Sequence, residues 1–168
     1  PAAAAGSRGP HESAARMTTP APASFIYAAR IYWEDTDAGG IVYYANYLRF
    51  FERARTEWLR ARGLGQRSLS ERQGGMFVVS RASVNYLHPA RLDDRIAVTA
   101  TLEQAGAASL LIGQQIWLQG GQTDAPDAPE AARAGRLLVT GQFRLAWVSA
   151  EGMRPERIPP LLLERLRG

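Results

Sequence analysis

The 168-residue chain contains no cysteine, no lysine and only two histidines. The first absence removes disulfides, thiolate metal sites and cysteine nucleophiles together. His11 lies in a segment poor in large apolar residues, and His88 directly precedes Pro89 at an expected strand end. That position marks His88 as a turn or surface residue rather than a catalytic one. Long apolar runs are missing as well. None approaches the roughly 20 residues needed to cross a bilayer, so no transmembrane helix is expected. The first 24 residues lack a basic head followed by an apolar stretch, which argues against a signal peptide. The nucleophile elbow G-x-S-x-G, the zinc helix H-E-x-x-H and the phosphate-binding glycine loop with its Lys are also absent. Without a bound metal, the chemistry of an enzyme built this way falls to carboxylates.

All 20 basic residues are therefore arginine; against 16 acidic residues they give a net charge of +4 and a pI near 10. The arginines are spread along the chain, and several stand at helical spacing from Glu, as in Arg53/Glu57 and Glu57/Arg60. That is the pattern of a solvated face. No nucleic-acid-binding motif accompanies the charge, so no nucleic-acid partner is expected, although a basic surface suits a phosphate-bearing substrate.

Length and a 46% hydrophobic content fit one domain with a true core. Residues 1–24 cannot bury enough apolar surface to offset ordering, and a disordered tail is expected there, with Met17 a candidate native start. The domain is expected over residues 25–168. Phe25–Trp33 reads as a strand. From about Val42 to Arg62 the period becomes helical, with Tyr44, Tyr47, Leu48, Phe51, Trp58 and Leu59 on one face and Gly63 as the stop. Residues 64–75 read as loop. Strands are expected at Phe77–Tyr86, Arg95–Gln104, Ser109–Leu118 and Arg136–Val148, with Gly106 marking a hairpin. The apolar-poor stretch from Gln119 to Gly135 reads as an enlarged loop, and LLLERLR after Pro159 and Pro160 as a short terminal helix. One long helix beside an antiparallel sheet is an α+β arrangement in which the sheet wraps the helix.

The carboxylates meet the helix start in Glu34-Asp35-Thr36-Asp37-Ala38-Gly39-Gly40. Unpaired amides at a helix start and the positive dipole end can polarise a carbonyl, and a nearby carboxylate can attack it or activate water. Two other readings of the same residues stay open at this point. Asp35 and Asp37 can simply cap the helix and make the turn. A calcium loop fits less well, since Gly39 and Asn46 stand where ligands are needed.

The run YWEDTDAGGIVYYANYLRFFERARTEWLR resembles the signature of the 4-hydroxybenzoyl-CoA thioesterase branch of hot-dog proteins. It is most similar to the YbgC-type acyl-CoA thioesterases associated with the Tol-Pal system. FVVSRASVNYLHPARLDDRIAV and VSAEGMRPERIP extend the resemblance across roughly Ile26 to Pro160. It implies a hot-dog fold, a five-stranded antiparallel sheet curled around one long helix, assembled as a homodimer or homotetramer with the site between subunits. It also implies hydrolysis of an acyl-CoA thioester without metal or other cofactor. Asp37 would be nucleophile or general base, the Tyr44 backbone amide the oxyanion donor, and Glu52 a contact to the acyl group. Tyr44 departs from the YbgC-type pattern, which has His there. Arg81, Arg91 and Arg95 are candidates for the nucleotide phosphates. A cytoplasmic location follows from the substrate class. A non-catalytic module binding acyl thioesters or acyl carrier protein for the cell envelope is the rival expectation.

Overall fold

The computed structural model describes residues 24–119 and 135–167. Of the tail expected over residues 1–24, all but Ser24 lie outside the described residues, His11 and Met17 among them, as does the body of the loop expected between Gln119 and Gly135; Ser24 Oγ meets Thr101 Oγ1 at 2.8 Å. Five strands form one antiparallel sheet: β1 (Phe25–Arg30), β2 (Gly75–Tyr86), β3 (Arg95–Ala105), β4 (Ser109–Leu118) and β5 (Leu137–Ser149), in the order β1-β3-β4-β5-β2. Among the described residues three α-helices accompany them, α1 (Asn46–Ala61), α2 (Gln66–Gln73) and α3 (Pro160–Arg167). The α+β class, the hairpin at Gly106 and the terminal helix are as the sequence leads one to expect. Gly106 N–H closes the β3–β4 turn onto Ser109 O at 2.8 Å.

The core sits between α1 and one sheet face because strand alternation and helical period agree there. Phe50, Phe51, Ala54, Trp58 and Leu59 from α1 are buried with Ile96, Val98 and Ala100 of β3, Leu110, Ile112 and Ile116 of β4, and Phe143, Leu145 and Trp147 of β5. Each large apolar side chain so covered contributes about 1.5 to 3 kcal/mol relative to exposure. Phe51 meets Phe143 with ring centroids 5.1 Å apart. A glycine makes that approach feasible: a Cβ at Gly141 would fall 2.6 Å from Phe143 and 3.1 Å from Phe51.

Three expectations are corrected. The helix begins at Asn46 rather than near Val42, because the Val42 amide is drawn to Ala90 O (2.9 Å) and Val42 bridges Thr36 in extended form. Tyr44 and Leu48 accordingly leave the buried face; they are 61% and 40% exposed, and Phe50 and Arg55 are buried instead. Residues 64–75 are not a loop throughout. QRSLSERQ forms α2, bounded by Gly65 and by Gly74 at φ +66, with Leu69 as its one buried residue. A single apolar anchor leaves no periodicity to read, whereas the flanking glycines are boundary signals. The first strand also stops at Arg30, and Trp33–Asp35 forms a 3-10 turn.

β2 is an edge strand of 12 residues whose central positions are exposed, Val79 among them at 48%. Among the described residues no helix is long and apolar enough to cross a membrane.

Candidate active site

Asp35 and Asp37 are two residues apart and do different work. Asp35 is buried; its Oδ2 accepts the Tyr32 amide at 2.9 Å, and its carbonyl accepts both Tyr43 N–H (3.0 Å) and Asn46 Nδ2 (2.9 Å). It thus fastens the 3-10 turn to the approach of α1. Asp37 is exposed and opens a tight turn: its amide donates to Ile41 O and its carbonyl accepts Gly40 N–H, each at 3.0 Å. Gly40 supplies the positive φ of 70° that this closure requires. Asp37 Oδ1 accepts Gly39 N–H at 2.8 Å, and Oδ2 has no hydrogen-bond partner among the described residues. Neither aspartate caps α1, whose N-cap is Ala45 with no side-chain bond. The turn-making reading therefore holds for Asp37 while leaving one carboxylate oxygen available.

Tyr44 lies in the turn leading into α1, two residues ahead of the helix rather than in its first turn. Tyr43 N–H and Asn46 N–H are spent on Asp35 O and Tyr43 O, but among the described residues no acceptor takes the Tyr44 amide or that of Ala45. The unsatisfied Tyr44 donor lies just ahead of the α1 N-terminus, near the positive end of the helix dipole. The structure therefore brings Asp37 and the Tyr44 amide to the two ends of one short segment, residues 37–44.

Aromatic rings line the same place. Tyr43 and Tyr44 have centroids 4.7 Å apart, Tyr44 and Tyr86 6.2 Å edge to face, and Tyr47 and Tyr86 5.8 Å. The Tyr43 phenol is held above its ordinary pKa, first by a side-chain hydrogen bond with Tyr44 and also by the nearby Asp37 carboxylate. Burial raises Tyr47, whose oxygen accepts Ala90 N–H at 2.8 Å, and burial likewise raises Tyr86. All three phenols thus stay neutral at physiological pH, polar at one tip and apolar in body. Tyr86 closes β2 and has no sequence signal tying it to Asp37; only the sheet register brings it there.

Glu52 is not brought into contact with Asp37. It stands on α1 roughly 9 Å along the axis from Asn46, exposed, and accepts Thr56 Oγ1 at 2.7 Å. Its charge acts on Arg55. Of the arginine candidates, Arg91 bridges Ile41 beside the Asp37 turn, Arg81 lies on the edge strand β2 and Arg95 opens β3.

The chain matches the model of the thioesterase-like superfamily over residues 31–166. It is 45% identical over 92 residues to the acyl-CoA thioesterase YbgC of Haemophilus influenzae, covering 55% of this chain and 68% of that one. With the acyl-CoA thioesterase YbgC of Helicobacter pylori it shares 28% identity over 137 residues, 82% of this chain and 96% of the relative. A probable thioesterase from Bartonella henselae superposes with a TM-score of 0.69 at 31% identity, covering 82% of this chain and all of that one. Sequence and fold agree, and the chain belongs to the thioesterase-like superfamily of hot-dog proteins.

Proposed function

We propose that this chain hydrolyses acyl-CoA thioesters to the free acid and coenzyme A, with Asp37 as the reacting carboxylate. The observation that carries this reading is the pairing of an exposed carboxylate, one oxygen unpartnered, with the free Tyr44 amide seven residues on. The thioester oxygen would sit on that amide, where backbone donors and the helix dipole stabilise the charge that develops. Asp37 Oδ2 then attacks the carbonyl carbon, or takes a proton from the water that does. The C–S bond breaks and coenzyme A leaves as its thiolate; water restores the carboxylate where an anhydride has formed. A thiolate is a good leaving group, so the neutral tyrosines suffice as surroundings and no strong acid is required. Kinship with relatives named acyl-CoA thioesterases supports the substrate class.

Glu52 would act further along α1 on the acyl part, held by Thr56. The unpaired edge of β2 and the exposed rings of Tyr32, Trp33, Tyr44 and Tyr86 favour a second copy covering this region, as homodimer or homotetramer. An acyl-CoA substrate agrees with a cytoplasmic place of work, and acyl carrier protein is a second carrier to test.

Release of free thiol from short-chain, long-chain and aromatic acyl-CoAs tests the reading directly. Turnover with at least one class is expected. Tight thioester binding with no thiol released would replace it with the non-catalytic module.

A further inference from the structure

At the opposite end of α1 from Asp37 lies a cavity of about 220 Å³ between α2 and α3. The helix alone separates the two places by about 24 Å, its 16 residues rising about 1.5 Å each. The floor is apolar: Leu64, Leu69 and Leu162 are each 4% exposed. Arg72 and Arg165 line it from the last turns of α2 and α3, with the Ser68 side chain beside them.

An arginine in the last turn of a helix commonly just offsets the dipole or caps its carbonyls. Among the described residues three other arginines do reach carbonyls, Arg30 to Asp93 O (3.1 Å), Arg62 to Trp58 O (3.3 Å) and Arg167 to Ala105 O (3.2 Å). Arg72 and Arg165 do not: among the described residues neither has a hydrogen-bond acceptor or a carboxylate partner. Two unspent guanidinium groups over a leucine floor match a ligand with an anionic head and a short apolar tail. A guanidinium presents paired donors that a carboxylate can accept in fork geometry. The cavity is smaller than the 300 to 1,000 Å³ typical of drug-sized ligands, which sets the tail at a few carbons rather than a long chain.

We infer that the cavity between α2 and α3 is a binding site for a short-chain carboxylate, its head on Arg72 and Arg165 and its tail on Leu64, Leu69 and Leu162. The site lies outside the Asp37 region and does not depend on hydrolysis. A free acid released by the proposed reaction belongs to the same chemical class, so product could occupy it.

Calorimetric titration of the full chain with hexanoate, hexyl phosphate and hexanol tests this. Hexanoate is expected to bind at least about tenfold more tightly than hexanol, a difference of about 1.4 kcal/mol. The R72A/R165A double variant should lose that preference while its thermal unfolding stays unchanged, since both side chains are exposed. Ser68→Phe, which fills the cavity while retaining both arginines, should weaken hexanoate as well. Hexyl phosphate binding more tightly than hexanoate would overturn the carboxylate assignment. Undiminished hexanoate binding by either variant, or no binding at all, would overturn the site. Because binding is the readout, failure of hydrolysis elsewhere in the molecule leaves this result intact.

Discussion

Arg55 Nη1 donates a 2.7 Å hydrogen bond to Gln114 Oε1 in the core, with the guanidinium 4.3 Å over the ring of Phe143. Gln114 in turn donates to Phe51 O (3.1 Å) and Thr99 O (3.2 Å), tying the centre of α1 to β3 and β4. Among the described residues the cation has no carboxylate in contact, and burial lowers its pKa to about 10. A depression of that size corresponds to an opposing cost on the order of 3 kcal/mol at neutral pH. The two partners should therefore respond differently to removal. Gln114→Ala strands a buried cation and two carbonyls and is expected to cost about 3 kcal/mol in urea unfolding. Arg55→Met removes the charge with its desolvation and should cost less than about 1.5 kcal/mol. Equal losses would mean that the pair acts through packing alone.

Asp35 and Asp37 should separate stability from chemistry. Asp35 is 6% exposed and holds the Tyr32 amide, so Asp35→Ala is expected to destabilise by about 1 to 2 kcal/mol, the scale of a lost cap. Asp37→Asn keeps an oxygen for Gly39 N–H and should leave the melting temperature unchanged. Turnover should fall by at least about a hundredfold, as for a positioned acid-base group. A near-normal rate in the Asp37 variant would remove Asp37 from the mechanism.

The contrast between these two aspartates shows where the sequence was informative and where it was silent. Alternation in β4 and the i, i+7, i+8 pattern of Phe51, Trp58 and Leu59 report burial, because burial is a local average over neighbours. The same logic puts Asp37 at a glycine turn. It cannot tell Asp35 from Asp37, since the difference rests on Asp35 O meeting Asn46 eleven residues away. Nothing in the local pattern marks Arg55 as buried; only the register that sets Gln114 of β4 beside it makes a buried arginine tolerable. Tyr86 joins the site by the same long-range route.

Alkaline pH offers a test of the tyrosine packing. Burial raises the pKa of Tyr47 above its ordinary 10.0, so above pH 10 the folded state keeps a proton that the unfolded state releases. The corresponding stability is fully present below pH 10 and is lost as pH climbs through the folded-state value. Tyr47→Phe abolishes this contribution but leaves the buried Ala90 N–H without its acceptor, at a cost of about 1 to 3 kcal/mol near neutrality. Urea unfolding should show the two proteins far apart below pH 10 and converging above it. Tyr43 titrates in both proteins and cancels; Tyr86, whose charge itself raises Tyr47, is removed by making the comparison in a Tyr86→Phe background.

The free edge of β2 yields a paired test of the proposed assembly. Along a strand, successive N–H groups point to opposite sides, so of Ala82 and Ser83 one amide faces β5 and the other faces outward. Proline removes the donor at either position. The variant at the inward amide breaks the β2–β5 ladder and should lose about 1 to 3 kcal/mol through an orphaned β5 carbonyl. The variant at the outward amide spares the protomer and should dissociate it, seen as a lower mass by light scattering at unchanged secondary structure. Thiol release should fall with it, since the exposed Tyr44 and Tyr86 rings would lose their cover. If neither proline lowers the mass, the edge strand is not where copies of this chain meet.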